Sequence, residues 1–174
     1  TARVFPADFD ARVALARFTA SGAPDASWGT DGLATVDYAG TSDLSLASVV
    51  APDGSVFVAG TASVSGQPSD AAVYRLSASG VPDPAWGTDG RVLVGLSVPI
   101  DGPLEDAGAA VAIDVAGRVL LAGSTRSVAN NRSSVLVARL VSGTVAAEAP
   151  PSTEALALSA SPNPARASLA LRVT

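Results

Sequence analysis

The stretch SGAPDASWGTDG at residues 21–32 is written again as SGVPDPAWGTDG at 79–90, with nine of twelve positions identical and an offset of 58 residues. An internal repeat of that length sets the architecture before any single residue is weighed, because each copy must build the same supersecondary unit. The copying runs outward from this core. Upstream, Ala16-Arg17-Phe18 returns as Tyr74-Arg75-Leu76 and as Ala138-Arg139-Leu140, each closing an apolar run. Downstream, Asp53–Gly60 returns as Ala116–Gly123, now 63 residues on, with a longer loop expected near Pro99–Asp106. A period of 58 to 64 residues is too long for most helical solenoids and suits a unit of about four strands.

Within a period the apolar runs are short and bounded by Gly, Pro, Asp or Ser, which predicts strands at Leu33–Tyr38, Ser45–Val50, Ser55–Thr61 and Ala71–Leu76. Their counterparts are Arg91–Leu96, Gly108–Asp114, Arg118–Ser124 and Ser134–Leu140. Pro52-Asp53-Gly54 combines a preset φ, a side chain that bonds its own backbone and a residue free to take positive φ, the makings of a tight hairpin. Each period therefore reads as a four-stranded antiparallel meander, giving two complete units at 33–76 and 91–140 behind a remnant of a third. The Ala-rich run 107–116 offers a helix as the competing reading; its Val and Gly content and short bounded length argue for strand.

Trp28 and Trp86, the chain's two tryptophans, hold the same place in successive units. A large ring between glycine-bearing turns is expected to plug the gap between neighbouring units and anchor the loop that links them. An exposed ring stacking on a sugar or a base is the alternative.

At 174 residues, 48% hydrophobic, with a mean hydropathy of +0.36, the chain has ample material for a core. Only 16% of residues are charged, so Ser, Thr, Gly and Ala must cover much of the surface. The most apolar stretch, Ala107–Gly123, is interrupted by Asp114 and Arg118, and no run reaches the roughly 18 residues that a membrane-crossing helix needs. The net charge is −5, and the eleven cations, all Arg, are scattered. Without a basic stripe the chain would repel a phosphate backbone, so no nucleic-acid partner is expected. There is no Lys, His, Cys or Met; Thr1 matches Thr61, so the sequence is expected to open inside a unit.

With no His, Cys or Lys, acid and base chemistry would fall to Asp, Glu and Tyr, and a glycosidase would need two carboxylates across one cleft. The repeated acids Asp25/Asp83 and Asp31/Asp89 sit in turns, where Asp bonds local backbone. No Asp-x-Asp-x-Asp-Gly calcium loop occurs. Asp101, Glu105 and Asp106 form the one local acidic cluster. Asn131-Arg132-Ser133 fits the glycosylation triplet, a pattern that arises often by chance. No catalytic, cofactor-binding or metal-ligating residue is assigned, and the chain is not expected to be an enzyme.

The motifs Arg-Phe-x-x-x-Gly-x-x-Asp-x-x-Trp-Gly-x-x-Gly at 17–32, its Arg-Leu form at 75–90, and Pro-Asp-Gly-x-Val-x-Val-Ala-Gly at 52–60 resemble the delta-60 repeat of exported and surface bacterial proteins. The resemblance covers residues 1–143. It implies partial β-propeller-like sheets, export, and assembly with neighbouring repeats or another protein chain. Two departures are that Trp28 and Trp86 stand where the family usually has Phe, and that the third unit stops after Arg139-Leu140 without its aromatic turn.

Residues 1–141 are thus expected to hold the repeats, as a partial unit 1–32 and units 33–90 and 91–141. Ser142–Thr153, rich in Ala, Pro, Ser and Thr, reads as a linker. Residues 154–174 carry a strand, a Pro-Asn-Pro turn and a second strand, and an ordinary Pro-bounded hairpin accounts for that pattern. The segment also resembles the opening of the C-terminal sorting domain of the type IX secretion system, which implies a protein carried across the outer membrane of a Bacteroidetes-type bacterium and left secreted or at the cell surface. The expected fold is all-β: repeated four-stranded meanders plus a short C-terminal β segment. Two functions fit it, a structural or interaction module whose loops take a protein or a polysaccharide, and an accessory repeat domain of an exported hydrolase.

Overall fold

The computed structural model of the protein describes residues 12–37, 41–64, 66–96, 104–140 and 171–173. Among these the regular elements are all strands: β1 (Val13–Ala16), β2 (Leu33–Val36), β3 (Thr41–Val50), β4 (Val56–Val64), β5 (Asp70–Leu76), β6 (Arg91–Leu96), β7 (Leu104–Ile113), β8 (Val119–Ser127), β9 (Ser133–Leu140) and β10 (Leu171–Val173). All pairings are antiparallel and make three sheets, β1-β2, β10-β6-β5-β4-β3 and β7-β8-β9. The fold is all-β and partially β-propeller-like, and the Ala-rich run 107–116 contributes to β7 rather than to a helix. No described helix is long and apolar enough to cross a membrane.

The sheets are cut one strand out of step with the expected units 33–76 and 91–140. Leu33–Val36 pairs back onto Val13–Ala16, and Arg91–Leu96 pairs back onto β5. The physical reason lies in the repeated turn. It closes on itself through bridges Phe18 to Pro24 and Leu76 to Pro82, and the amides of Arg17 and Arg75 donate to the carbonyls of Gly32 and Gly90 at 2.9 and 2.8 Å. A turn so closed must return its second strand alongside its first. The Trp turn is therefore a hairpin within a sheet, and the step from one sheet to the next falls after β2 and after β6.

β3 and β7 are longer than expected, each ten residues, because a bulge lets them continue past Ser45/Ala47 and Gly108/Ala110. Each bulge drives a carbonyl, that of Leu44 or Ala107, onto the face of Gly60 or Gly123, where any Cβ would collide with it. Leu104–Asp106 accordingly belongs to a strand and not to the long loop expected there.

Two apolar clusters fill the gaps between sheets. Val13, Trp28, Ala34 and Val36 of the first sheet meet Val58, Tyr74 and Leu76 of the second. Phe57, Ala59, Val73 and Trp86 of the second meet Val119, Leu121 and Leu136 of the third. The middle sheet is buried on both faces, which is why Ala71-Ala72-Val73-Tyr74 reads as an unbroken apolar run without alternation. The linker 142–153 and most of 154–174 lie outside the described residues; within that segment, Leu171–Val173 pairs with the outer edge of β6.

Candidate functional site

Each Trp turn begins where an apolar strand ends in Arg, and that Arg organises it. Arg17 reaches Asp25 through Nε and Nη2, both at 2.9 Å, while its guanidinium lies 5.5 Å from the Trp28 ring centroid. In the next copy Arg75 pairs with Asp83 at 2.8 Å and Asp53 at 3.0 Å, and lies 5.4 Å from the Phe57 ring. Asp25 also accepts from the Ser27 amide and hydroxyl, and those bonds, more than Arg17, hold its carboxyl below the usual range. Asp53 is lowered in the same way, by Ser55 and then Arg75. Asp31 and Asp89 occupy left-handed backbone at φ 52° and 54°, a conformation in which Asp is enriched among residues with a side chain. The repeated acids thus close turns.

Trp28 and Trp86 are both buried, at 2% and 4% exposure, so neither ring is free to stack on a ligand. Trp28 extends under the next turn, where the Gly29 amide donates to the Ser79 carbonyl at 2.8 Å. A Cβ at Gly80 would lie 2.7 Å from the ring, so only glycine leaves it a seat. Trp86 meets Phe57 edge to face, centroids 5.5 Å apart at 74°, within the second gap. Both rings therefore plug gaps between sheets, although the turns that carry them are hairpins and not links.

The expected acidic cluster does not form as a unit. Glu105 pairs with Arg126 on the surface, whereas Asp106 is fully buried; Asp101 lies outside the described residues. Among the described residues no three acidic side chains gather as a metal group. Asn131, of the glycosylation triplet, sits at φ 57° and accepts from Arg126 at 3.1 Å.

The pair that sequence reasoning missed is Asp43 and Asp106, equivalent positions in β3 and β7 and both fully buried. Tyr74 donates its hydroxyl to Asp43 at 2.8 Å, and Arg91 stands 3.5 Å from the same oxygen. Asp106 accepts the Leu96 amide at 2.6 Å, tying the end of β6 to β7 across the sheet boundary. Its other oxygen and the Thr125 hydroxyl are buried without completing a hydrogen bond. Burial pushes the Asp106 carboxyl above its ordinary range, against the Leu96 amide and more weakly Thr125, and nearby Asp70 adds to the rise. Asp70 is itself raised by burial, with Arg91 opposing. Their recurrence 63 residues apart was a usable signal, masked because each lay in a polar run just before the recognised strand.

An open cleft of 350 Å³ lies between β1 and β3, lined mainly by Ala14, Ala16, Ser45, Leu46 and Ser48. Its walls carry no charged or aromatic side chain, so it can offer shape and backbone but no acid, base or stacking platform. A family described as a domain of unknown function, DUF5122, beta-propeller, matches residues 51–85, from the hairpin before β4 to the second Trp turn. The match covers the Pro-Asp-Gly motif and describes the same kind of architecture, with no assigned activity. No curated protein and no solved structure matches the chain.

Proposed function

We propose that this chain is a non-catalytic structural or interaction module of a secreted or cell-surface bacterial protein, exported by type IX secretion through its C-terminal segment. The observation that supports the reading is how the repeated residues are used. Arg17/Arg75, Asp25/Asp83, Trp28/Trp86 and Asp43/Asp106 are all engaged in closing turns or joining sheets. No recurring side chain is left over for chemistry. What varies between copies is loop length and surface, the parts through which a scaffold meets a protein or a polysaccharide.

Antibodies against the chain, applied to intact producing cells and to the medium, test the address. Label outside unpermeabilised cells, lost when type IX secretion is disabled, is the expected result; retention inside in both strains overturns it. Turnover of glycoside, ester or peptide substrates by the purified chain would overturn the non-catalytic reading.

A further inference from the structure

The third strand of each sheet is a built-in control for what covers its two faces. In β5 both faces are buried: Ala71 and Val73 toward the third sheet, Ala72 and Tyr74 toward the first, with Leu76 closing that same face, all at 0% exposure. In β9 the face toward the second sheet is buried at Leu136, Ala138 and Leu140, but Val135 and Val137, counterparts of Ala71 and Val73, are 77% and 52% exposed. In β1 the pattern is reversed. Val13 is buried against the second sheet, while Ala14, Ala16 and Phe18, counterparts of Ala72, Tyr74 and Leu76, are exposed, Phe18 at 60%.

Two glycines tell the same story at the turns. Gly80 carries Trp28 of the preceding turn against it, whereas its counterpart Gly22 has nothing within 4 Å of where a Cβ would stand. The two uncovered faces are thus the two halves of a contact that the chain already makes twice internally.

We infer that a second copy of this chain docks head to tail, seating the Phe18 face of one copy on the Val135 and Val137 face of the other. The occupant is fixed by continuity with the internal interfaces. The surface presented by β9 is the one that β5 offers to the third sheet, and the surface presented by β1 is the one that β5 offers to the first. The contact is heterologous, so copies add into a ring or an open filament and not into an isologous pair. This inference rests on the reading of the chain as an interaction module, and it is separable from it.

Sedimentation of the full chain over a wide concentration range is the test, with Phe18→Asp and Val137→Glu as blocking variants and circular dichroism to verify that both stay folded. The wild type is expected to grow past two chains per particle with rising concentration. Each variant alone should remain a single chain, and an equimolar mixture of the two should give one-to-one pairs, since each keeps the face the other lacks. Self-association that survives in either variant, or a mixture that stays monomeric, overturns the head-to-tail contact. A monomeric wild type that binds a polysaccharide or a different protein overturns self-assembly and leaves the module reading standing.

Discussion

At the scale of single residues, the contact between Trp28 and Gly80 ties two turns that are distant in sequence. Trp28→Ala and Trp86→Ala are each expected to cost about 3–5 kcal/mol, as for a buried large aromatic, read as a fall in the urea midpoint. The glycines separate backbone from packing. Gly22 and Gly80 share left-handed φ of 82° and 83°, so alanine at either loses about 1–2 kcal/mol from the backbone alone. Gly80→Ala must also displace the Trp28 ring, adding about 1–3 kcal/mol of overpacking. Equal losses at the two sites would show that the ring does not occupy that seat.

Burial also divides the acids into two opposing sets. The carboxyls of Asp25, Asp53 and Asp114 lie below their ordinary range, held there chiefly by hydrogen bonds from Ser27, Ser55 and the Arg118 amide. Their contribution is present above the unfolded value near pH 3.9 and is lost as the pH falls through the lower folded values. Asp70 and Asp106 are raised by burial. Their folded forms hold a proton more tightly than the unfolded chain, so stability increases as the pH drops from neutral through the raised values and levels off near pH 3.9. Melting temperature against pH is expected to peak in mild acid. Asp106→Asn keeps an oxygen acceptor for the Leu96 amide and removes the charge, so it should be more stable than wild type at neutral pH, with the advantage shrinking toward pH 4. A pH-independent difference would remove Asp106 from this account.

Among the elements, the bulged strands β3 and β7 show how a local irregularity is paid for in sequence. Because the Leu44 carbonyl sits on the face of Gly60, and that of Ala107 on Gly123, alanine at either glycine must open the bulge or shift the strand. Gly60→Ala is expected to be more damaging than Gly123→Ala. Gly60 lies in a sheet buried on both faces, and its backbone also abuts Gly108, whose Cβ would lie 2.9 Å from the Gly60 carbonyl. Thermal unfolding of the two variants decides the order. The strands themselves were legible from bounded apolar runs, but their pairing partners were not. Periodicity reports which face is apolar, while the choice of neighbour for Leu33–Val36 was made by the closure of the Trp turn upon itself.

Across the whole molecule, protection follows the number of covered faces. β5 is central and buried on both sides, while β1 and β9 each bury one face. Amide hydrogen exchange is expected to be slowest in β5 and β4, and fastest in the first sheet and at β9, where opening exposes least apolar surface. Uniform protection over all three sheets would mean that they open only together.

The sequence by itself determined the repeat, its period, the strand character and the burial of both tryptophans, because each is a property of a short segment or of its copy. The turn chemistry of Asp25, Asp53 and Asp83 belongs with these, since the partners lie two residues away or on the adjoining strand. Tertiary structure alone decided where one sheet ends and the next begins, and that Asp43 and Asp106 lie buried at corresponding points in β3 and β7. Those outcomes depend on contacts between segments tens of residues apart. The burial of Asp106 in particular exists only once β6 and β7 are brought together, and a polar residue in a polar run carries no mark of it beforehand.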